Sequence, residues 1–217
     1  YRRQRQMCIR DRIKFVNAKA IWNEIPLRHN PITATVRKDS PLLIKGESGI
    51  GKTSLALALA GLVDYEGSIR INGIEVRDIH ETSLQQTMTV LLQDEQLFAS
   101  SIRENLKIAK PDAKDDDLFL ALEKVELLKL IKSLPDGLDT HIGAFGTNFS
   151  GGEKQRFRLA RIFLRNTPLF ILDEPLEHLE SGQAARLYRN IKEHCKEKTL
   201  ILISHQMIDE ISVFKLD

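Results

Sequence analysis

The sequence has few cysteines, few aromatic residues and no long apolar segment. Its two cysteines, Cys8 and Cys195, cannot form a disulfide framework, which excludes the small secreted scaffolds that depend on one. The longest nearly apolar stretch, Leu55 to Val63, is less than half of the about 20 residues that a membrane-spanning helix needs. Hydrophobic residues make up 42% of the chain, and no internal repeat is present. These features exclude disordered and fibrous chains and leave a globular fold.

An excess of charge of one sign is also missing, since 32 Lys and Arg stand against 30 Asp and Glu. Residues 1–12 contain five Arg and one Asp, so the rest of the chain is mildly acidic. We therefore expect no nucleic-acid partner, because such a partner requires a basic surface. The basic tail 1–12 resembles read-through of a sequencing adapter. We expect it to be non-native and the natural protein to continue upstream.

Apolar runs and helical patterns alternate along the chain. Residues 68–76, around Asn72-Gly73, predict a hairpin. Residues 100–165 lack a strand pattern and contain helical patterns at 118–131 and 152–166. Four continuous apolar runs favour parallel strands that are covered on both faces: 42–45, 89–92, 169–172 and 199–204. The sequence thus predicts an α/β core with a helical insertion.

A phosphate-binding loop is predicted between the first of these strands and the helical pattern that follows it. The run GESGIGKT (46–53) matches the G-x-x-x-x-G-K-[ST] motif. Its glycines let backbone N–H groups converge on phosphate oxygens, and the helix start adds positive potential. Lys52 is expected to reach the β- and γ-phosphates and the Thr53 hydroxyl to ligate Mg²⁺. The expected nucleotide-binding residues are Gly46, Glu47, Ser48, Gly49, Ile50, Gly51, Lys52, Thr53 and Ser54.

Two adjacent carboxylates end the apolar run 169–172. In open α/β sheets ligands bind at the carboxyl ends of the strands, so Asp173 and Glu174 are expected at the same edge as the phosphate loop. Asp173 is expected to hold Mg²⁺ through water, and Glu174 to orient and polarise an attacking water. The alternative is a solvated strand end without a catalytic role.

A third motif, FSGGEKQR (149–156), begins the second helical region. Ser150 is a good N-cap, and Glu153 stands three residues later as in a capping box. A phosphate loop, then this FSGGE motif, then an apolar strand that ends in Asp-Glu-Pro is the order found in ATP-binding cassette (ABC) ATPases. The chain resembles that family over residues 13–217.

The resemblance implies an α/β fold: a P-loop NTPase (RecA-like) core with a small antiparallel β subdomain and an inserted α-helical subdomain. The core comprises 13–92 and 166–217, and the helical subdomain comprises 93–165. ATP and Mg²⁺ are the implied cofactors. In this family the residues matching Ser150, Gly151 and Gly152 close over the ATP that a second cassette holds.

Three further residues take roles from the resemblance. Trp22 stands where such cassettes place an aromatic residue that stacks on adenine. Gln93 matches the glutamine that senses Mg²⁺ and water, and His205 matches the histidine that contacts the γ-phosphate. We expect Lys52, Gln93, Glu174 and His205 to be catalytic, and Thr53, Gln93 and Asp173 to bind the metal. The structural alternatives are an ordinary Trp, a polar loop residue and a structural His.

The chain departs from the family pattern in two loops. The segment Leu176–Glu180 reads LEHLE, whereas the family usually has Thr or Ser first and Leu-Asp at the end. In the family this loop links the two ATP sites, so the departure is expected to affect the coupling between them. Ala144 replaces the acid usual between the glycines of the loop that precedes the third motif.

Within the family the segments 96–106 and 134–140 resemble exporter cassettes, which are fused behind a six-helix membrane domain. The segments 105–113 and 174–180 look most like the CydDC-like exporters of cysteine and glutathione. We therefore expect a transmembrane domain fused upstream, a second identical or different cassette, and a place on the cytoplasmic face of a bacterial inner (plasma) membrane. The alternatives are a degenerate ATP-binding regulatory cassette without turnover and a soluble nucleic-acid-linked ABC ATPase.

Overall fold

The structure is a computed structural model that describes residues 12–22, 25–26, 30–38, 40–47, 49–93, 95–143, 149–205 and 212–215. The described residues form two compact units. The first draws on 1–92, 167–174 and 195–217, and the second on 93–166 and 175–194. Residues 1–11 of the basic tail therefore lie outside the described residues, and residue 12 begins the first described segment.

The strands of the first unit form two sheets. In chain order they are β1 (Arg12–Trp22), β2 (Ile25–Pro26), β3 (Ile32–Arg37), β4 (Leu42–Lys45), β5 (Tyr65–Ile71), β6 (Ile74–Glu75), β7 (Met88–Leu91), β8 (Leu169–Asp173), β9 (Thr199–Ile203) and β10 (Ser212–Lys215). The antiparallel sheet has the order β2-β1-β5-β6, with β3 also paired to β1. The other sheet has the order β10-β4-β9-β8-β7, and all its pairs are parallel.

The antiparallel sheet contains the predicted hairpin and one irregularity. Asn72 and Gly73 join β5 to β6 with φ angles of 52° and 83°, as a tight hairpin turn requires. The register of β1 shifts after Phe15, where Asn17 has a φ of 47°. A Cβ at Gly67, on the neighbouring strand, would lie 2.1 Å from the Asn17 carbonyl oxygen, so only glycine fits there.

The parallel sheet is buried on both faces, which explains why its strands are continuous apolar runs. Every residue of β8 and β9 is buried. The helix α1 (Lys52–Leu59) packs Leu55 and Leu59 into a core that also takes Phe15 from the antiparallel sheet. In the register, Ile203 pairs with Ile44 of β4 and Asp173 of β8, so these three strands end side by side. The fold thus confirms the predicted α/β class.

The remaining helices are α2 (Glu81–Thr87) in the first unit, and α3 (Ile102–Lys107), α4 (Asp115–Lys124), α5 (Leu128–Ser133), α6 (Gly151–Phe163) and α7 (Ser181–His194) in the second. Short 3₁₀ turns lie at Val76–Asp78 and Gly137–Asp139. Among the described residues none of these helices is long and apolar enough to cross a bilayer.

The single helix that the sequence predicts over 118–131 is wrong. The chain breaks between α4 and α5, where Glu126 adopts a left-handed φ of 57°. Its carboxylate accepts hydrogen bonds from Arg186 Nε at 2.6 Å and Gln183 Nε2 at 3.0 Å. Apolar periodicity continues across the break, but these bonds to α7 hold a backbone conformation that a helix cannot contain.

Residues 175–194 group with the second unit, although the sequence suggests that they belong to the core. The reason lies in contacts along α7. Besides the bonds to Glu126, Asn190 Nδ2 donates to the Lys124 carbonyl oxygen at 2.7 Å, and a ring nitrogen of His194 lies 3.0 Å from the Arg165 carbonyl oxygen. Such partners are distant in sequence, so local patterns do not reveal them.

Candidate nucleotide site

The phosphate loop connects β4 to α1 and curls around the side chain of Lys52. Gly49 and Gly51 have φ angles of 78° and 109°, which side chains with a Cβ rarely adopt. The Lys52 ammonium donates to the carbonyl oxygens of Gly46 and Glu47, each at 2.8 Å. These hydrogen bonds therefore hold the loop folded back on the first residue of α1. Ser48 lies outside the described residues.

Lys52 is buried, and its position affects its protonation. Burial lowers the pKa of the ammonium, while the carboxylates of Glu174 and Asp173 raise it in part. A buried cation beside two acids is an unusual cluster for a loop that serves only as a connection. Thr53, in the first turn of α1, and Ser54 are partly buried next to it, as is Ile50, which packs against the core.

Thr53 and Asp173 meet although 120 positions separate them. The Thr53 hydroxyl donates to Oδ2 of Asp173, and the carboxylate is 1% exposed. Both groups present oxygen atoms, the ligands that Mg²⁺ prefers, and Mg²⁺ commonly needs one or two carboxylates beside phosphate and water. This pair of side chains therefore fits a magnesium ion bound together with a polyphosphate.

Glu174 follows β8 and turns toward the end of β9. Its φ of 45° is left-handed, and its backbone N–H donates to the Ile203 carbonyl oxygen at 2.9 Å. Its Oε1 accepts from the backbone N–H of His205 at 3.0 Å and lies 3.1 Å from the imidazole Nε2 of the same residue. The Ser204 hydroxyl also hydrogen-bonds the carboxylate. Strand pairing thus brings the acid and the histidine together.

The environment of Glu174 raises its pKa. Burial is the main cause, and the neighbouring Asp173 carboxylate adds to it, whereas His205 and Ser204 act in the opposite direction. A carboxylate whose pKa rises toward neutrality is suited to accept a proton from a water molecule. The site therefore contains an ammonium group, two oxygen-bearing side chains that fit a metal ion, and a carboxylate that is suited to act as a general base.

Trp22 is the last residue of β1, and 48% of its surface is exposed. It pairs in register with Ile25 of β2, which is more exposed still. An indole that presents so much surface offers a face on which a planar ring can stack.

Gln93 lies in the second unit, where a network of hydrogen bonds holds it. Its Nε2 donates to Oε2 of Glu177 at 3.0 Å, and its carbonyl oxygen accepts from Arg158 Nη1 at 2.9 Å. The same Nη1 donates to Oε1 of Gln155, whose Nε2 donates to the Pro175 carbonyl oxygen. The glutamine is thus bonded directly to Glu177, which lies in the loop 176–180 that departs from the family pattern, and indirectly to Pro175, which precedes that loop.

The FSGGE motif also lies in the second unit and begins α6. Ser150 caps the helix, since its hydroxyl accepts from the Glu153 N–H at 3.3 Å and the Glu153 carboxylate accepts from the Ser150 N–H at 2.8 Å. This capping box confirms the helix start read from the sequence. Gly151 and Gly152 pack against His178, whose carbonyl oxygen would lie 3.2 Å from a Cβ at Gly152.

Three site residues have no role in the motif-based prediction: Ser204, Arg158 and Glu177. Ser204 directly precedes the expected histidine. The sequence feature that could have identified it is a polar residue at the end of a fully buried strand. Glu177 lies inside the departing loop. Nothing local marks Arg158 among the basic residues of α6, because its partners are distant in sequence.

The glycine-rich turn between β4 and α1 and the acids at the end of β8, which β9 separates from β4 in the parallel sheet, define a P-loop nucleotide-binding domain. A family model described as ABC transporter matches residues 29–177. The chain belongs to the ABC transporter family, whose domains bind ATP. The predicted family resemblance is confirmed.

Similar proteins include ATP-binding/permease proteins of transport systems and an ABC exporter. The Glutathione/L-cysteine transport system ATP-binding/permease proteins CydD of Escherichia coli and Bacillus subtilis are 34% and 38% identical over 179 and 186 residues. These cover 82% and 85% of this chain, but 30% and 32% of the relatives. A bacterial Atm1-family ABC exporter, solved with ATP bound, superposes with a TM-score of 0.89 at 27% identity, covering 97% of this chain and 38% of that one. The chain thus spans about a third of the length of these proteins.

Proposed function

We propose that this chain is the ATP-binding and ATP-hydrolysing cassette of a membrane exporter. The observation that supports it most is the convergence of Lys52, Thr53, Asp173, Glu174 and His205 at one edge of the parallel sheet. The loop 46–54 binds the phosphates of ATP, and Trp22 stacks on its adenine. Thr53 would hold Mg²⁺ directly and Asp173 would hold it through water, while Gln93 would sense the ion and the water; the bound ion would supply the positive charge that neutralises the phosphates.

In the proposed reaction, water attacks the γ-phosphorus and the bond to the bridging oxygen of ADP breaks. Glu174 accepts the proton that the water loses, and Lys52 and His205 stabilise the negative charge on the transferred phosphoryl group. Catalysis then depends on positioning and charge, both of which a buried, hydrogen-bonded edge provides.

Ser150, Gly151 and Gly152 are proposed to cover the ATP of a second cassette, either a copy of this chain or a different one. The start of α6 suits this role because helix N-termini and backbone N–H groups bind anions. ATP then joins two cassettes, hydrolysis separates them, and this cycle moves membrane helices. The cassettes lie on the cytoplasmic face of a bacterial membrane, and the CydD relatives support glutathione or cysteine as the transported class.

Glu174→Gln tests the proposal. The variant keeps the shape of the side chain but removes the base, so we expect turnover to fall about 10²–10⁴-fold while ATP still binds and the dimer accumulates. Phosphate release, calorimetric ATP binding and gel filtration measure the three effects. Glu193→Gln, on the exposed face of α7, is the matched control. Unchanged turnover in Glu174→Gln contradicts the role of the base.

A regulatory cassette without turnover is the second candidate, and the departing loop 176–180 favours it. Single-turnover hydrolysis separates the two, because a regulatory cassette binds ATP but releases no phosphate. The exporter assignment has its own test in the genomic DNA upstream of codon 13. Six apolar segments of about 20 residues there support a fused membrane domain, and their absence contradicts it.

A further inference from the structure

Ser204 is a buried polar residue at the point where three strands of the parallel sheet end. Its backbone N–H donates to the Ile44 carbonyl oxygen of β4 at 3.3 Å. On the other side, the register pairs the preceding Ile203 with Asp173, and Ile203 accepts from the N–H of Glu174. Ser204 and Glu174 are therefore the first residues beyond two paired strands, and each is 3% exposed.

The register places Ser204 beside Glu174, and a hydrogen bond from the Ser204 hydroxyl is one of the causes that lower the pKa of the Glu174 carboxyl. An ionised carboxylate only accepts hydrogen bonds, so the serine is the donor. The adjacent His205 N–H donates to the same carboxylate at 3.0 Å. Ser204 and His205 thus supply two donors from the end of β9. Together these donors fix the direction of the Glu174 carboxylate.

Glu174 requires such support because its backbone is irregular. With a φ of 45° the residue has left the strand, so the pleat no longer sets the direction of its side chain. A left-handed conformation is also unfavourable for a residue with a Cβ, so surrounding contacts must hold Glu174 in place.

The imidazole of His205 is a less permanent partner than Ser204. Its side chain is 47% exposed, and its Nε2 lies 3.1 Å from Glu174. One N–H cannot make a full hydrogen bond both to this carboxylate and to a phosphate oxygen. If His205 serves the γ-phosphate, the buried donors must hold Glu174 without it.

We propose that Ser204 is a positioning residue, whose hydroxyl keeps the Glu174 carboxylate directed at the attacking water while His205 contacts the phosphate. This inference rests on the proposed function. It predicts that the hydroxyl affects the chemical step and leaves ATP binding unchanged.

Ser204→Ala and the isosteric pair Ser204→Thr and Ser204→Val test the hydroxyl. We expect Ser204→Ala and Ser204→Val to lower kcat about ten-fold, as loss of one hydrogen bond to a charged group does. The KM for ATP stays unchanged, and Ser204→Thr retains the activity of the parent chain. In a Glu174→Gln background Ser204→Ala has no further effect on turnover, because the carboxylate that it positions is absent.

The control is Thr199→Val, which removes another buried hydroxyl, from the first residue of β9, the strand that Ser204 follows. That hydroxyl has no hydrogen-bond partner among the described residues, so turnover remains at the parent level. If Ser204→Ala unfolds, the Thr and Val pair still isolates the hydroxyl at constant shape. Equal kcat for Ser204→Thr and Ser204→Val overturns the inference. Normal turnover in Glu174→Gln instead overturns the proposed function, so the two failures are distinguishable.

Discussion

The imidazole Nε2 of His205 lies 3.1 Å from Oε1 of Glu174, although 31 positions separate the two residues. They meet because β8 and β9 are adjacent and parallel and end in register. Glu174 directly follows the end of β8, and His205 is the second residue after the end of β9. A contact between side chains from separate motifs is thus a direct consequence of the sheet order.

Trp22 provides the first prediction, because it is the only tryptophan in the chain. If adenine stacks on it, ATP binding changes its fluorescence, and Trp22→Ala weakens binding about 5- to 150-fold, equivalent to 1–3 kcal/mol. Trp22→Tyr retains an aromatic face and most of the affinity. Calorimetry gives the affinities. Equal affinities for Trp22→Ala and the parent chain, with no fluorescence response, contradict stacking.

The two glycines that begin α6 are expected to respond differently to alanine. A Cβ at Gly151 meets Cβ of His178 at 4.0 Å, an ordinary contact, whereas at Gly152 it meets a backbone oxygen at 3.2 Å. Alanine gains up to about 1 kcal/mol of helix propensity at both positions. We expect Gly151→Ala to be neutral or stabilising and Gly152→Ala to be less stable by about 1 kcal/mol or more. Urea unfolding measures both, and equal stabilities refute the difference.

Glu75 makes the antiparallel sheet sensitive to pH. Burial raises the pKa of its carboxyl, but hydrogen bonds from Ser68, the Ile69 N–H, Tyr65 and Arg70 outweigh burial and lower the pKa to about 2. A free glutamate has a pKa of 4.5, so the folded state favours the ionised form. The resulting stability is present above about pH 4.5 and is lost as the pH falls toward 2.

We expect Glu75→Gln to lower the free energy of unfolding by about 2 kcal/mol at neutral pH, with a smaller difference from the parent at pH 3. Urea unfolding at several pH values measures the difference. The control is Glu66→Gln, an exposed position on the neighbouring strand β5, where we expect less than about 0.5 kcal/mol. If the difference in unfolding free energy between Glu75→Gln and the parent chain stays constant from pH 7 to pH 3, the ionised Glu75 carboxylate does not stabilise the fold as predicted.

The sequence was informative where chemistry is local. The phosphate loop needs glycines at left-handed positions, the helix cap needs Ser150 with Glu153, and a strand buried on both faces needs a continuous apolar run. Each of these requirements concerns residues close together in the chain. They were sufficient to predict the fold class and family, while the roles of the site residues remain proposals.

Local patterns failed where distant partners decide the structure. The helix predicted over 118–131 breaks because α7 binds the Glu126 carboxylate, and nothing near Glu126 signals that bond. The bond between Gln93 and Glu177 is similar, since 84 positions separate its members. Such contacts depend on the path of the chain through space.

The order of apolar runs, glycines and acids by itself determined that this protein is an α/β nucleotide-binding domain, because backbone sterics and burial act on neighbouring residues. Only the tertiary structure decided which side chains support that chemistry. Ser204 reaches Glu174, and Thr53 reaches Asp173, because hydrogen bonding between parallel strands and the packing of α1 bring together positions that the chain keeps far apart.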